Sequence, residues 1–148
     1  MKHVKAFAIG AVLAAGAAFA QDVEPTDPNA VARSELMKLV GMNTGILGNM
    51  AQGKDPYDAA KAEAAKAALI EAAGKIEATF AEQGGADPAS EAKPEIWANW
   101  DDFLAKAKAM GDAAGAIDVA SVESIGAGMG AIGGTCRDCH STYRVMKN

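Results

Sequence analysis

Apolar positions recur along this chain at spacings of three and four rather than two, the pattern of helices with one buried face. Asp27-Pro28 pairs an N-cap residue with proline at the first helical position, and predicts a first helix running to about Gln52. Its inward stripe reads Ala30, Arg33, Met37, Val40, Thr44 and Leu47, while the polar Gln21 to Thr26 before it reads as a loosely held leader. After the turn Gly53-Lys54-Asp55-Pro56, an alanine-rich second helix is expected from about Tyr57 to Ala81, with Ala65, Leu69, Ala72, Ile76 and Phe80 on its apolar face. Gln83 to Lys93 has no period and reads as a loop. Pro94 opens a third helix through Ala114, bulked by Ile96, Trp97, Trp100, Phe103, Leu104 and Met110. A break at Gly115 and Asp118 leads into a fourth, Val119 to about Met146, carrying Val122, Ile125, Met129, Ile132 and Tyr143. Four long helices with connections short enough for antiparallel neighbours predict an all-α, up-down-up-down antiparallel four-helix bundle.

The first twenty residues change the domain picture. Lys2 and Lys5, the apolar run Ala6 to Ala17 and Ala18-Phe19-Ala20 have the order of a secretory signal ending in an A-x-A cleavage site. Residues 1–20 are therefore expected to be removed and residues 21–148 to form one domain. The apolar run is too short and too rich in alanine and glycine for a membrane anchor. Of the 14 basic and 19 acidic residues of the whole chain, cleavage removes two lysines and no acid, leaving 12 against 19 and a formal charge of −7. That balance argues against nucleic acid or an anionic membrane surface as partner.

Candidate chemistry is concentrated in Cys136-Arg137-Asp138-Cys139-His140. A C-x-x-C-H run is the attachment signal for c-type haem: two thiols form thioethers with the porphyrin vinyl groups, and the following histidine reaches the iron. On a helix, Cys136, Cys139 and His140 share one side. A thioredoxin-like redox pair needs a βαβ setting that the pattern lacks. A zinc site needs about three or four protein ligands, and a disulfide closing so short a loop adds little. Haem attachment is the expectation, and His3, the other histidine, lies in the segment expected to be removed. Glycines at 126, 128, 130, 133 and 134 are costly in a helix, and a flat porphyrin lying close to that backbone, or a local kink, would account for them. Met42, Met50, Met110 and Met129 read as core fillers.

With this motif on the last helix of a bundle, the mature chain resembles the cytochrome c′ group, the class II c-type cytochromes. The resemblance is carried by Arg33 with Met37, by Gly53-Lys54-Asp55-Pro56-Tyr57-Asp58 at the first turn, and by Lys93-Pro94-Glu95-Ile96-Trp97 at the third helix. It is carried most specifically by Gly133-Gly134-Thr135-Cys136-Arg137-Asp138-Cys139-His140 followed by Tyr143-Arg144. It implies one haem c held by Cys136 and Cys139, with His140 as proximal ligand and Arg33 near a haem propionate, a pairing that suits a guanidinium. In the high-spin members the residue four after that arginine is a bulky hydrocarbon. Here it is Met37, as in the low-spin branch, so the resemblance implies a sixth ligand from its thioether.

His/Met ligation favours electron transfer, and the expected function is a soluble periplasmic one-electron carrier serving redox partner proteins. Stable membrane insertion is not expected after cleavage, and the protein is expected to be a monomer or a homodimer. No catalytic acid, base or nucleophile is expected. The alternative is a five-coordinate haem protein that binds nitric oxide or carbon monoxide, which requires Met37 to be off the iron.

Overall fold

A computed structural model describes residues 23–146 of the protein; the expected signal segment 1–20 lies outside the described residues. The helices are α1 (Pro28–Ala51), α2 (Ala59–Phe80), a single turn α3 (Glu95–Ala98), α4 (Trp100–Ala116) and α5 (Val122–Tyr143). The bundle is a square of α1, α2, α4 and α5. Each helix packs on its two neighbours around the square, and the backbones of the diagonal pairs do not approach closely among the described residues. Leu47, Leu69, Ile96, Ile117, Ile125 and Ile132 belong to one hydrophobic core and are fully buried. No helix among the described residues is long and apolar enough to cross a membrane.

The helix starts follow local chemistry. The Asp27 carboxylate accepts the backbone N–H groups of Asn29 and Ala30, Asp58 accepts that of Lys61, and Ser121 forms a reciprocal capping box with Ser124. These side chains satisfy donors that the first turn leaves unpaired. They also place two helix starts later than the periodicity indicates, at Ala59 rather than Tyr57 and at Val122 rather than Val119. Ile117, extended at the end of α4, and Val119, expected to open the last helix, are loop residues buried in the core.

The expected third helix is interrupted. Asn99 adopts φ −130° and ψ 50°, and its backbone N–H and its side-chain amide both donate to Glu95 O at 3.0 Å, closing α3. Its own carbonyl accepts Phe103 N and opens α4. No glycine or proline marks the break, only an asparagine of capping type.

On α1 the buried positions are Ala30, Arg33, Leu36, Val40, Asn43, Leu47 and Met50. Met37 and Thr44, expected on the stripe, are half-buried at its edge, because a 3.6-residue period leaves two adjacent positions astride the face. Met42, expected as core filler, is 58% exposed on the far side of the helix.

The glycines of α5 divide. A Cβ at Gly128 would overlap the Ile117 side chain, whereas Cβ atoms at 126, 130, 133 and 134 would meet nothing within 4 Å. Close packing against Ile117 accounts for Gly128. Gly126→Ala is therefore expected to raise stability by about 1 kcal/mol through helix propensity alone. Gly128→Ala is expected to lower it by about 1–3 kcal/mol through overpacking. Urea denaturation of the two variants, followed by circular dichroism, checks these opposite signs.

One end of the bundle gathers the start of α1, the end of α2, the connecting loop 81–94 and the end of α5. The leader expected to be loose is stitched to that loop: Thr26 N and Asp27 N donate to Asp87 Oδ2 at 2.6 and 2.8 Å, and Gly85 N returns a bond to Asp27 Oδ2 at 2.9 Å. Gly84 sits at φ +77°, and a Cβ there would collide with the Asp27 carboxylate. The backbone donors from Asp27, Thr26 and Ala89 hold the Asp87 carboxyl down at about 2. Because its folded value is depressed, this carboxylate contributes stability above about pH 4, and the contribution is lost as pH falls towards 2.

Candidate haem site

The inward stripe of α5 is Ile125, Met129, Ile132, Cys136, Cys139 and Tyr143, spaced four, three, four, three, four. The two cysteines of the motif thus occupy core positions of the final two turns. Both are half-buried against the hydrophobic core, and neither is in a disulfide. Burial pushes both thiols up, Cys139 to about 11, so they are neutral at pH 7. His140 is half-buried one position round the helix. Burial, with the Arg144 charge adding to it and Glu91 opposing it, holds the imidazole below its ordinary value and leaves it neutral. A neutral ring keeps a lone pair for a metal.

The end of α5 is held on two sides. Towards α4, Tyr143 donates to Asp102 Oδ2 at 2.6 Å, and Lys106 spans Asp102 (4.0 Å) and Asp138 (2.6 Å), a residue inside the motif. Towards loop 81–94, Arg144 is extended and forms an antiparallel bridge with Ala92. Lys93 N donates to Tyr143 O, Val145 N donates to Glu91 O, and the Arg144 guanidinium pairs with Glu91 Oε2 at 2.6 Å. Glu91, given no role in the sequence reading, thus lies at the motif's end of the helix.

On α1, Arg33 is only 4% exposed, which excludes an ordinary solvated arginine. Its Nη1 and Nη2 donate to Glu82 O (2.9 Å) and Gln83 O (3.2 Å), just past the end of α2. The guanidinium lies 5.7 Å from the Phe80 ring centroid and 5.3 Å from that of Trp97. Trp97 Nε1 donates to Phe80 O, so two side chains satisfy three carbonyls at the negative end of α2. Buried Arg33 Nε has no hydrogen-bond partner among the described residues.

Met37 stands one turn further along α1, packed against the core from its edge. Its level relative to the motif follows from the packing of α1 on α5. A Cβ at Gly48 would lie 3.7 Å from Met129 Cε, the far end of that side chain, so the two residues stand within about a turn of each other along the bundle. The helices run antiparallel and rise equally per residue. Met37 is eleven residues before Gly48, and His140 is eleven after Met129. Met37 and His140 therefore stand level to within about a turn, and Arg33 is level with Arg144.

The donor set fits a covalently attached haem. Two unpaired thiols and an imidazole share one helical side, a thioether stands level with that imidazole on a second helix, and a buried guanidinium nitrogen lacks an acceptor. Among the described residues no three His, Cys, Asp or Glu side chains are grouped to hold a bare metal ion.

A family model described as cytochrome c′ matches residues 29–144. Cytochrome c-556 of Agrobacterium tumefaciens (strain apple 185) is 38% identical over 120 residues, which cover 79% of this chain and 94% of that protein. An NMR-validated structural model of oxidized R. palustris cytochrome c556 is similar with TM-score 0.71 and 28% identity, covering 82% of this chain and 98% of that one. A nitric oxide complex of a cytochrome c prime variant from Alcaligenes xylosoxidans is similar with TM-score 0.66 and 26% identity, covering 80% and 94%.

Proposed function

This chain belongs to the cytochrome c′ family of class II c-type cytochromes, whose cofactor is covalent haem c; from that premise we propose that it carries single electrons in the periplasm. Cys136 and Cys139 would hold the haem through thioethers, and His140 and Met37 would supply the protein ligands to its iron. When bound, haem c supplies a one-electron iron couple, and histidine–methionine ligation raises its potential. The observation that supports this reading is the packing of α1 on α5, from which Met37 and His140 stand at the same height of the bundle to within about a turn.

The protein groups have distinct tasks. Cys136 and Cys139 would fix the cofactor from positions of α5 that pack against the hydrophobic core. Tyr143, Asp102, Lys106 and Asp138 tie the motif's helix to α4, and Glu91 with Arg144 ties it to the loop. Such outer contacts orient a ligand and limit its movement between oxidation states. Arg33 Nε, buried and without an acceptor, supplies a donor for a haem carboxylate. No residue takes a catalytic role, and the partners are redox proteins that the exported chain meets after loss of residues 1–20.

Gas binding is the second reading, favoured by the nitric oxide complex of the Alcaligenes xylosoxidans relative. Absorption spectroscopy of the purified holoprotein separates the two. The carrier reading predicts sharp, split ferrous bands, a weak ferric sulfur-to-iron charge-transfer band, and no prompt change when carbon monoxide is added. Broad high-spin bands that shift at once with carbon monoxide would sink it and promote gas binding.

A further inference from the structure

The two helices proposed to carry the axial ligands are joined end to end through one loop. Residues 81–94 connect α2 to α3, a length at which irregular segments in compact domains are usually functional or disordered. Here the loop is stitched at both sides. On the α1 side, Arg33 grips Glu82 O and Gln83 O, Gly85 N bonds Asp27, and Asp87 receives Thr26 N and Asp27 N. On the α5 side, Lys93 N bonds Tyr143 O, Val145 N bonds Glu91 O, and Arg144 pairs with Glu91. Asp27 and Asp87 interlock: each carboxylate accepts a backbone donor from the other's segment, while Asp27 also caps α1 and Asp87 braces its own turn through Ala89 N.

His140 lies three residues from the end of α5, in the last turn, where helices fray most readily. Met37 lies in the first half of α1, whose start is held by the Asp27–Asp87 interlock. The spacing between the two ligand-bearing ends is thus set by the loop as well as by core packing. We infer that Asp87 is a positioning residue for the sixth ligand: by tying the start of α1 to the loop that clasps the end of α5, it keeps the Met37 thioether within reach of the iron. This inference rests on the proposed His140/Met37 ligation.

The test is the rate of carbon monoxide association with the ferrous holoprotein, measured by flash mixing for wild type, Met37→Leu, Asp87→Ala, Asp87→Asn and Tyr57→Phe. Tyr57→Phe is the control. It removes the bond from Tyr57 Oη to Val119 O, which joins loops at the opposite end of the bundle. Carbon monoxide enters only when the sulfur is off the iron, so the rate reads the open fraction. Asp87→Ala is expected to raise it roughly tenfold and to weaken the ferric charge-transfer band. Asp87→Asn, which keeps an acceptor without the charge and is the milder test of folding, is expected to fall between. Tyr57→Phe is expected to leave the rate unchanged while lowering the unfolding midpoint. An unchanged rate in both Asp87 variants, or an equal rise in Tyr57→Phe, overturns the positioning role and leaves Met37 ligation standing. Wild type as fast as Met37→Leu overturns both.

Discussion

Met37→Leu is expected to turn a closed haem site into an open one. Leucine keeps the bulk and apolar character of methionine, so the edge of the core that Met37 packs against should persist. What is lost is the thioether, the donor that α1 presents level with His140. If, as is typical of two-state equilibria, about 0.1–10% of wild-type molecules are open, carbon monoxide association should rise roughly ten- to a thousandfold. The reduction potential should fall by on the order of 0.1–0.3 V, a fraction of the roughly 0.8 V over which axial ligands tune haem. Flash mixing and a spectroelectrochemical titration measure the two effects. A variant indistinguishable from wild type would return Met37 to the role of core filler.

Leu47→Ala is expected to be the most damaging of the conservative core truncations on α1. Leu47 is fully buried, and it adjoins Gly48, the residue that meets Met129 of α5. Removing its side chain loses transfer free energy and leaves a cavity between rigid helices, costing about 2–5 kcal/mol. Against a total stability of about 5–15 kcal/mol, the unfolding midpoint in urea should fall by a large fraction. The damage falls next to a place where α1 approaches α5. Ligand-binding spectra taken below the transition should therefore show a larger open fraction as well.

These expectations show which features a sequence can carry. The haem motif was legible because covalent attachment demands fixed residue types at fixed spacing, and its helical setting was legible from the period of the flanking Ile125, Met129 and Ile132. Arg33 was legible as a stripe member, and the structure buries it. Its partners were not, because Glu82 and Gln83 receive it through backbone carbonyls, which any residue supplies. The choice of Leu36 and Asn43 over Met37 and Thr44 as the buried pair depends on the angles at which α2 and α5 meet α1, and periodicity within one helix does not contain them. The same limit hid the level of Met37 against His140, a property of two helices together. The break at Asn99 and the clasp of residues 91–93 on 143–145 rest on backbone hydrogen bonds in segments without a period.

Ligation of the iron by this sulfur is the central claim, and it can be read directly from the methionine methyl groups. The chain has seven methionines, and six would remain after loss of residues 1–20. With carbon-13 in their ε-methyls, the proton spectrum of the ferrous, diamagnetic holoprotein should contain one methyl shifted far upfield by the porphyrin ring current, and that signal should vanish in Met37→Leu. A ferrous spectrum with no such methyl, or one whose upfield methyl survives in Met37→Leu, would contradict the account.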